Sequence, residues 1–295
     1  MPDFPDAAAN HRAADAANAA TLPAWRIDTD TLRQALAGGP ARSWQVEVVA
    51  ETGSTNADLT QASRSAPWAD DAARVRVAYR QTAGRGRQGR PWQGAGLMFS
   101  VAMPLALAPA RLSGLSLAVG LAVAQALEDC DAACGARVGL KWPNDLQIDG
   151  RKLAGILIES VPAGPQRLWA VIGIGLNLMR DTGMEAALGR ELAGVSEAMA
   201  SFDPQRDPTR ILAAVLNRLA AMRATFLAQG FAPLAPAWSA RDAFRNEPVR
   251  LLHDGQVLAE GLARGVDSDG HLLLETADGL QRIASGEVSL RGATA

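Results

Sequence analysis

Apolar positions recur along the chain with two different periods, and the switches between them mark out its elements. Alternation with period two runs through VEVVA (46–50) and RVRVAYRQ (74–81), which predicts half-buried strands. GLMFSVAMPL (96–105) reads as the return partner of the second. GILIES (155–160) and WAVIGIGLNL (169–178) are continuous apolar runs, the pattern of strands covered on both faces. Between the first two strands STNADLTQAS (54–63) opens a helix on a hydroxyl cap, and residues 112–130 read as a buried helix. Residues 185–230 read as helical with a proline-rich break at 203–208, and PLAPAW (233–238) thins into a boundary. Helices and strands are mixed throughout this stretch, so residues 43–243 are expected to form one α/β domain.

The two ends have a different texture. Residues 1–23 are rich in Ala, Asp and Asn without periodicity and predict a disordered leader, and residues 28–37 predict a short capped helix, so 1–42 reads as a leader that is only partly ordered. From Phe244 onward, Asp-Gly pairs at 254–255, 269–270 and 278–279 separate short apolar runs, the signal of two-residue hairpins. Residues 244–295 therefore predict a small all-β meander, closed as a barrel.

Composition narrows the function classes. With 29 basic and 31 acidic residues the net charge is −2, too neutral for a chain that coats nucleic acid. The apolar run from Leu112 to Leu127 is interrupted by Ser, Gly and Gln and falls short of a bilayer span, and the N-terminus lacks the basic and apolar regions of a secretory signal. A cytoplasmic protein without membrane contact is the expectation. His11, His253 and His271 are the 3 histidines, so residues 12–252 hold neither a Ser–His–Asp triad nor a histidine-ligated metal. The late histidines read as plain surface residues. Cys130 and Cys134 read as small core residues.

The lysines are more informative. Lys141 and Lys152 are the only lysines among those 29 basic residues, and both lie in KWPNDLQIDGRK (141–152). A chain that otherwise uses arginine keeps an ammonium where a compact point charge is needed. Lys141 suits an anion and Asp145 suits Mg²⁺ or a hydroxyl, with Pro143 and Asn144 making the turn. Lys152 enters an apolar strand, which costs desolvation unless an anion meets it.

The loop QTAGRGRQGRPW (81–92) formally matches G-x-G-x-x-G through Gly84, Gly86 and Gly89. However, Pro91, Gly94 and Gly96 follow, and then a strand in place of the helix a dinucleotide loop must open. Arg85, Arg87 and Arg90 interleave with these glycines, offering guanidinium forks to phosphate or carboxylate from a backbone free to approach. Such a loop is expected to be mobile when empty; the alternative is a solvated basic hairpin. Gly173, Gly175 and Asn177 leave a buried strand where a ligand approaches closely or the sheet packs tightly. Ser54, Thr55 and Asn56 cap a helix, bind a polar head group, or do both. The inventory is cationic and hydrogen-bonding without a nucleophile–base pair. It suits joining a carboxylate to the α-phosphate of ATP, with Arg85, Lys152 and Lys141 as the catalytic cations.

These motifs, in this order, resemble those of the bacterial biotin–protein ligases: ETGSTN, QTAGRGRQGRPW, KWPND, GRKLAGILIE, IGIGLNL and the closing GEVSLR, across residues 51–291. The resemblance implies an α+β fold, a mixed sheet flanked by helices like that of class II aminoacyl-tRNA synthetases, followed by a small SH3-like β-barrel. It implies an enzyme that converts biotin and ATP to biotinyl-5′-AMP and passes biotin to a lysine of the biotin carboxyl carrier protein of acetyl-CoA carboxylase. Carried over by motif, Ser54, Thr55, Asn56 and Gln81 line the biotin pocket, and Arg85, Gly86 and Arg87 close over biotin and the adenylate. Lys152 meets the carboxylate and phosphate, Arg90, Gly173 and Gly175 serve the nucleotide, Trp92 and Asn177 contact adenine, and Asp145 serves Mg²⁺. Two-function members of this family also carry a DNA-binding helix-turn-helix domain. Residues up to Gly53 hold four Arg against seven acids, so no repressor role and no DNA partner are expected. A lipoate or octanoate ligase, or a non-catalytic biotin or nucleotide sensor, is the alternative. A homodimer through an exposed sheet edge stays open.

Overall fold

The computed structural model describes residues 23–65, 73–92, 96–253, 256–284 and 288–292. Seven strands build the larger sheet: β1 (Gln45–Thr52), β2 (Arg74–Gln81), β3 (Leu97–Leu105), β4 (Val138–Lys141), β5 (Asp145–Ile148), β6 (Arg151–Gly164) and β7 (Arg167–Leu176), in spatial order β1-β2-β3-β7-β6-β5-β4. β1 and β2 run parallel, with Thr52 opposite Gln81, and every other pair is antiparallel. A parallel pair needs a crossover connection, and here it carries the helix Thr55–Ser65. Because the paired strands finish together, Ser54, Thr55 and Asn56 emerge beside Gln81.

In chain order the helices are α1 (Thr29–Ala37), α2 (Thr55–Ser65), α3 (Leu115–Cys130), α4 (Ala132–Arg137), α5 (Thr182–Leu188), α6 (Asp207–Gln229) and α7 (Ala235–Ser239). α3 and α6 pack together against one face of the sheet, burying Val101 and Ile172 with Leu121, Leu127, Ile211 and Leu216. On the other face Leu59 of α2 packs on Ala102, Val171 and Trp169. Covered on both sides, β3 is buried at every position from Leu97 to Leu105, in keeping with a run that is apolar except at Ser100. α6, and α3 with the turn before it, are long and apolar enough by composition alone to cross a membrane. For α3 this differs from the reading of the apolar run above. The core just described accounts for their apolar faces.

Three segments depart from the sequence reading. Residues 24–42 belong to the core of the large domain: Trp25, Leu32 and Leu36 are buried, and the Trp25 ring lies 5.0 Å from that of Tyr79. The helix was expected; its docking was not. Asp28 caps it, accepting from the amides of Asp30 and Thr31. Residues 1–22, where most of the leader was expected, lie outside the described residues. Second, the stretch 189–206 is not an α-helix. Gly189 takes a left-handed conformation (φ 61°) that ends α5. Beyond it Ala193 donates to the Lys152 carbonyl (2.8 Å) and Val195 to that of Asn177 (3.0 Å). The apolar residues that mimicked helical spacing are buried alongside the ends of β6 and β7. Third, the run after Phe231 contains α7, whose Trp238 is buried.

The small domain is a five-stranded antiparallel sheet of β8 (Pro248–His253), β9 (Gln256–Val266), β10 (Leu272–Thr276), β11 (Gly279–Ile283) and β12 (Val288–Gly292), ordered β11-β10-β9-β8-β12. The meander is as expected through β11, but β12 returns to pair with β8, and no closed barrel forms among the described residues. Thr276 pairs with Gly279, so the tight turn is centred on Ala277–Asp278, one residue before the Asp-Gly pair. Asp269-Gly270 lies in a longer loop between Val266 and Leu272. Asp254-Gly255 lies outside the described residues. His271 is not a plain surface residue: it is half-buried, with Nδ1 3.1 Å from Asp267.

Candidate active site

A cavity of roughly 480 Å³ opens at the end of the sheet where β1 and β2 finish. Ser54, Thr55 and Asn56 are almost fully buried in its wall. Thr55 donates its amide to Gln81 Oε1 (2.8 Å), its hydroxyl is 2.7 Å from that of Ser100, and Ser100 donates to Asn56 Oδ1 (2.7 Å). The inner wall of this compartment is uncharged and rich in hydrogen-bonding groups, with Phe99, Ile156 and Ile174 supplying apolar surface, while Arg85, Arg87 and Lys152 line its outer side.

The loop 84–92 forms the roof. Nothing in its sequence suggests internal restraint, yet Gly86 donates to the Arg90 carbonyl (2.7 Å) and Trp92 to that of Gly84 (2.9 Å), closing the loop on itself. Gln88 and Gly89 make the reversal at φ 57° and 68°. Arg85 lies over the cavity, half exposed, 3.6 Å from Glu159, while Arg87 donates to Asn144 Oδ1 (3.1 Å). The strand glycines were expected to admit a ligand or to pack tightly. The groups they admit here belong to the protein. A Cβ on Gly175 would lie 2.2 Å from the Trp92 ring, and one on Gly173 would lie 2.6 Å from Asn56 Oδ1.

Gly86, Arg87, Trp92, Asn144 and Lys152 also line a second, adjoining space of about 640 Å³. Arg87, Arg90, Lys141, Lys152, Arg190 and Arg291 line it together with Asp145. Lys152 Nζ is 2.6 Å from Asp145 Oδ1 and 5.4 Å from the centre of the Trp92 ring. Burial pulls the Lys152 ammonium below its ordinary pKa, and Asp145 works against that. Lys141, over the Phe244 ring at 5.3 Å, is pushed down to about 8 by burial first and by Arg291 next. Burial likewise lowers Arg87 and Arg291. Such a set of cations is paid for only when polyanionic oxygen fills the space between them.

Every residue expected at the site lines one of the two compartments except Asn177. Its amide donates to the Lys152 carbonyl (3.2 Å), behind the wall. Sequence reasoning missed Ser100, Asn144 as a lining residue, Arg190 and Arg291. Ser100 carried a signal, a hydroxyl in an otherwise apolar run; Asn144 read only as a turn residue. Asp145 is a lone carboxylate here. Among the described residues Asp267, Asp269 and His271 of the small domain are the group spaced to share a metal, and Arg282 is paired with both aspartates. Cys130 and Cys134 lie on successive helices, and burial pushes both thiols up to about 11, in keeping with a packing role.

Residues 50–177 match the biotin/lipoate A/B protein ligase family, and residues 245–291 match the biotin protein ligase C-terminal domain. The chain is 35% identical to the biotin–[acetyl-CoA-carboxylase] ligase of Mycobacterium tuberculosis over 89% of this chain and 95% of that protein. It is 37% identical to the bifunctional ligase/repressor BirA of Escherichia coli over 74% of this chain, and spans 66% of that protein's length. The biotin protein ligase of Aquifex aeolicus, solved in complex with biotin and ATP, superposes with a TM-score of 0.67 at 29% identity, covering 84% of this chain and 99% of that one. The mixed seven-stranded sheet with its SH3-like C-terminal domain, the matched segments and near-complete alignment to a whole ligase agree, and the chain belongs to the biotin protein ligase family.

Proposed function

We propose that this chain joins biotin to ATP in the paired compartments and then transfers biotin to a lysine of the biotin carboxyl carrier protein of acetyl-CoA carboxylase. One observation carries the assignment: a compartment with an uncharged hydrogen-bonding inner wall opens onto a polycationic one, with Lys152 at their junction. A ureido head group suits the first, and a triphosphate suits the second. The substrate's carboxylate is thereby brought to the α-phosphate between them.

In the first step a carboxylate oxygen attacks the α-phosphorus, the bond to the bridging oxygen breaks, and pyrophosphate leaves. Two anions must meet, and the cations of the second compartment screen their repulsion and hold the charge that develops on the leaving group. Lys152 faces the reacting oxygens, Arg85 and Arg87 cover the adenylate, and Trp92, with Gly175 beneath it, offers adenine an aromatic face. Asn177 acts indirectly, holding the Lys152 backbone. In the second step the amine of the acceptor lysine attacks the acyl carbon, AMP leaves and the amine gives up a proton. Mg²⁺ fits as a passenger of the nucleotide, held by phosphates and by Asp145 alone, since magnesium often takes only one or two protein carboxylates; it would offset triphosphate charge. Soluble substrates are consistent with a cytoplasmic enzyme.

The test is biotin-dependent exchange of labelled pyrophosphate into ATP, with lipoate and octanoate in parallel. Exchange with biotin is expected. Exchange only with lipoate or octanoate would overturn the substrate, and no exchange with any of them would overturn the reaction.

A further inference from the structure

Glu159 does not line either compartment, yet it ends a chain of hydrogen bonds that does. Asn56 Nδ2 donates to its Oε2 at 2.7 Å. A carboxylate can only accept, so this contact fixes which way the Asn56 amide faces: nitrogen towards Glu159, oxygen towards Ser100. Ser100 then spends its one proton on Asn56 Oδ1 at 2.7 Å. Its 2.7 Å contact with Thr55 can be a hydrogen bond only if Thr55 donates. The Thr55 hydroxyl, its proton committed, is left with lone pairs. Gln81 joins the same chain: its Oε1 accepts the Thr55 amide (2.8 Å) and lies 3.1 Å from the Thr55 hydroxyl, whose proton it shares with Ser100, and this leaves Nε2, 3.3 Å from Met98 Sδ, as the donor. One wall of the first compartment therefore offers an acceptor beside a donor, the complement of a cyclic urea with its N–H and C=O groups.

We infer that Glu159 is a positioning residue that sets the proton direction of this wall and through it the affinity for the ureido head group. The inference rests on the function proposed above. Glu159 also lies 3.6 Å from Arg85, but the side chains are 49% (Arg85) and 32% (Glu159) exposed, and ion pairs of that kind contribute little. The hydrogen bond to Asn56 carries the effect. Gly173 makes it possible, since a Cβ there would strike Asn56 Oδ1.

The test compares biotin binding by calorimetry, and the KM values for biotin and ATP in pyrophosphate exchange, for the full chain and for Glu159→Ala and Glu159→Gln, with melting temperatures alongside. Glu159→Ala frees the Asn56 amide to turn over and is expected to weaken biotin binding roughly tenfold, the scale of one buried hydrogen bond. Its KM for ATP and its kcat at saturating biotin are expected to stay within about threefold of wild type. Glu159→Gln still offers an oxygen to Asn56 and is expected to recover biotin affinity to within about threefold. Unchanged biotin affinity in a folded Glu159→Ala overturns the inference, as does a parallel loss for biotin and ATP that Gln does not rescue. If Glu159→Ala does not fold, Glu159→Gln decides: biotin affinity as weak as that expected of the alanine variant overturns the inference, and near-wild-type affinity supports it. Wild-type protein that binds no biotin overturns the proposed function instead.

Discussion

At the scale of single residues the two lysines that scarcity singled out both line the cationic compartment. Lys152 Nζ is held 2.6 Å from Asp145 Oδ1 and 5.4 Å from the centre of the Trp92 ring, a position for a compact point charge that a planar guanidinium, paired with the same carboxylate, would shift. Lys152→Arg is expected to lower pyrophosphate exchange by roughly 100-fold although charge is kept, the cost of misplacing one charge-stabilising group. Lys141 predicts a pH dependence. With its pKa pushed down to about 8 it is charged below that pH and neutral above it, so kcat/KM for ATP is expected to fall as pH rises through about 8. In Lys141→Arg that limb should move upward, since arginine stays charged. Stability responds with the opposite sign. The unfolded lysine keeps its proton until about 10.5, so between 8 and 10.5 the unfolded chain binds more protons and the fold gains as pH climbs. The cations not assigned to the site from sequence, Arg190 and Arg291, are brought to the pocket from far along the chain; nothing local marks Arg190, and Arg291 closes the GEVSLR motif without any local sign that it reaches the pocket. Glu159 was hidden differently: it sits in an apolar strand and acts through an amide.

At the scale of elements, legibility followed locality. The strand β2 could be read from its alternation, and β6 and β7 because an apolar run covered on both faces has no competing pattern. The segment 189–206 could not, because its burial alongside β6 and β7 depends on partners elsewhere in the chain. The glycine–arginine loop was recognisable as a site by its residue types. Its closure by Gly86–Arg90 and Gly84–Trp92 backbone bonds was not, since those depend on left-handed turns at Gln88 and Gly89. A loop already folded over the cavity needs few rearrangements to clamp its contents. Arg85→Ala is expected to speed dissociation of biotinyl-5′-AMP about tenfold and to label bystander lysines, measured by trapping released adenylate. Retention equal to wild type would remove Arg85 from the clamp.

At the scale of the whole molecule the two domains share the site. Trp142 of the KWPND turn donates its indole N–H to the Gly270 carbonyl (3.1 Å), and Ser113 donates to that of Asp269 (2.7 Å). Arg291 of β12 completes the cationic compartment from the small domain's side. Arg291→Ala is expected to raise the KM for ATP roughly tenfold and leave that for biotin unchanged, the loss of one charge-assisted contact. An equal rise for both substrates would mean that the domain had shifted. The division into a catalytic body and an appended sheet was visible in the sequence, but the appendage's part in the site was not, because its charge is net negative and its one cation at the site is spatially recruited.

The shared compartment has an energetic consequence. A nucleotide bound between Lys141 and Arg291, as proposed, would act as a strap across two folding units and strengthen their cohesion by mass action alone. At a hundredfold excess over its dissociation constant a ligand adds about 2.7 kcal/mol to the state that binds it. How firmly the small domain is seated is therefore a reading of how much ATP surrounds the molecule.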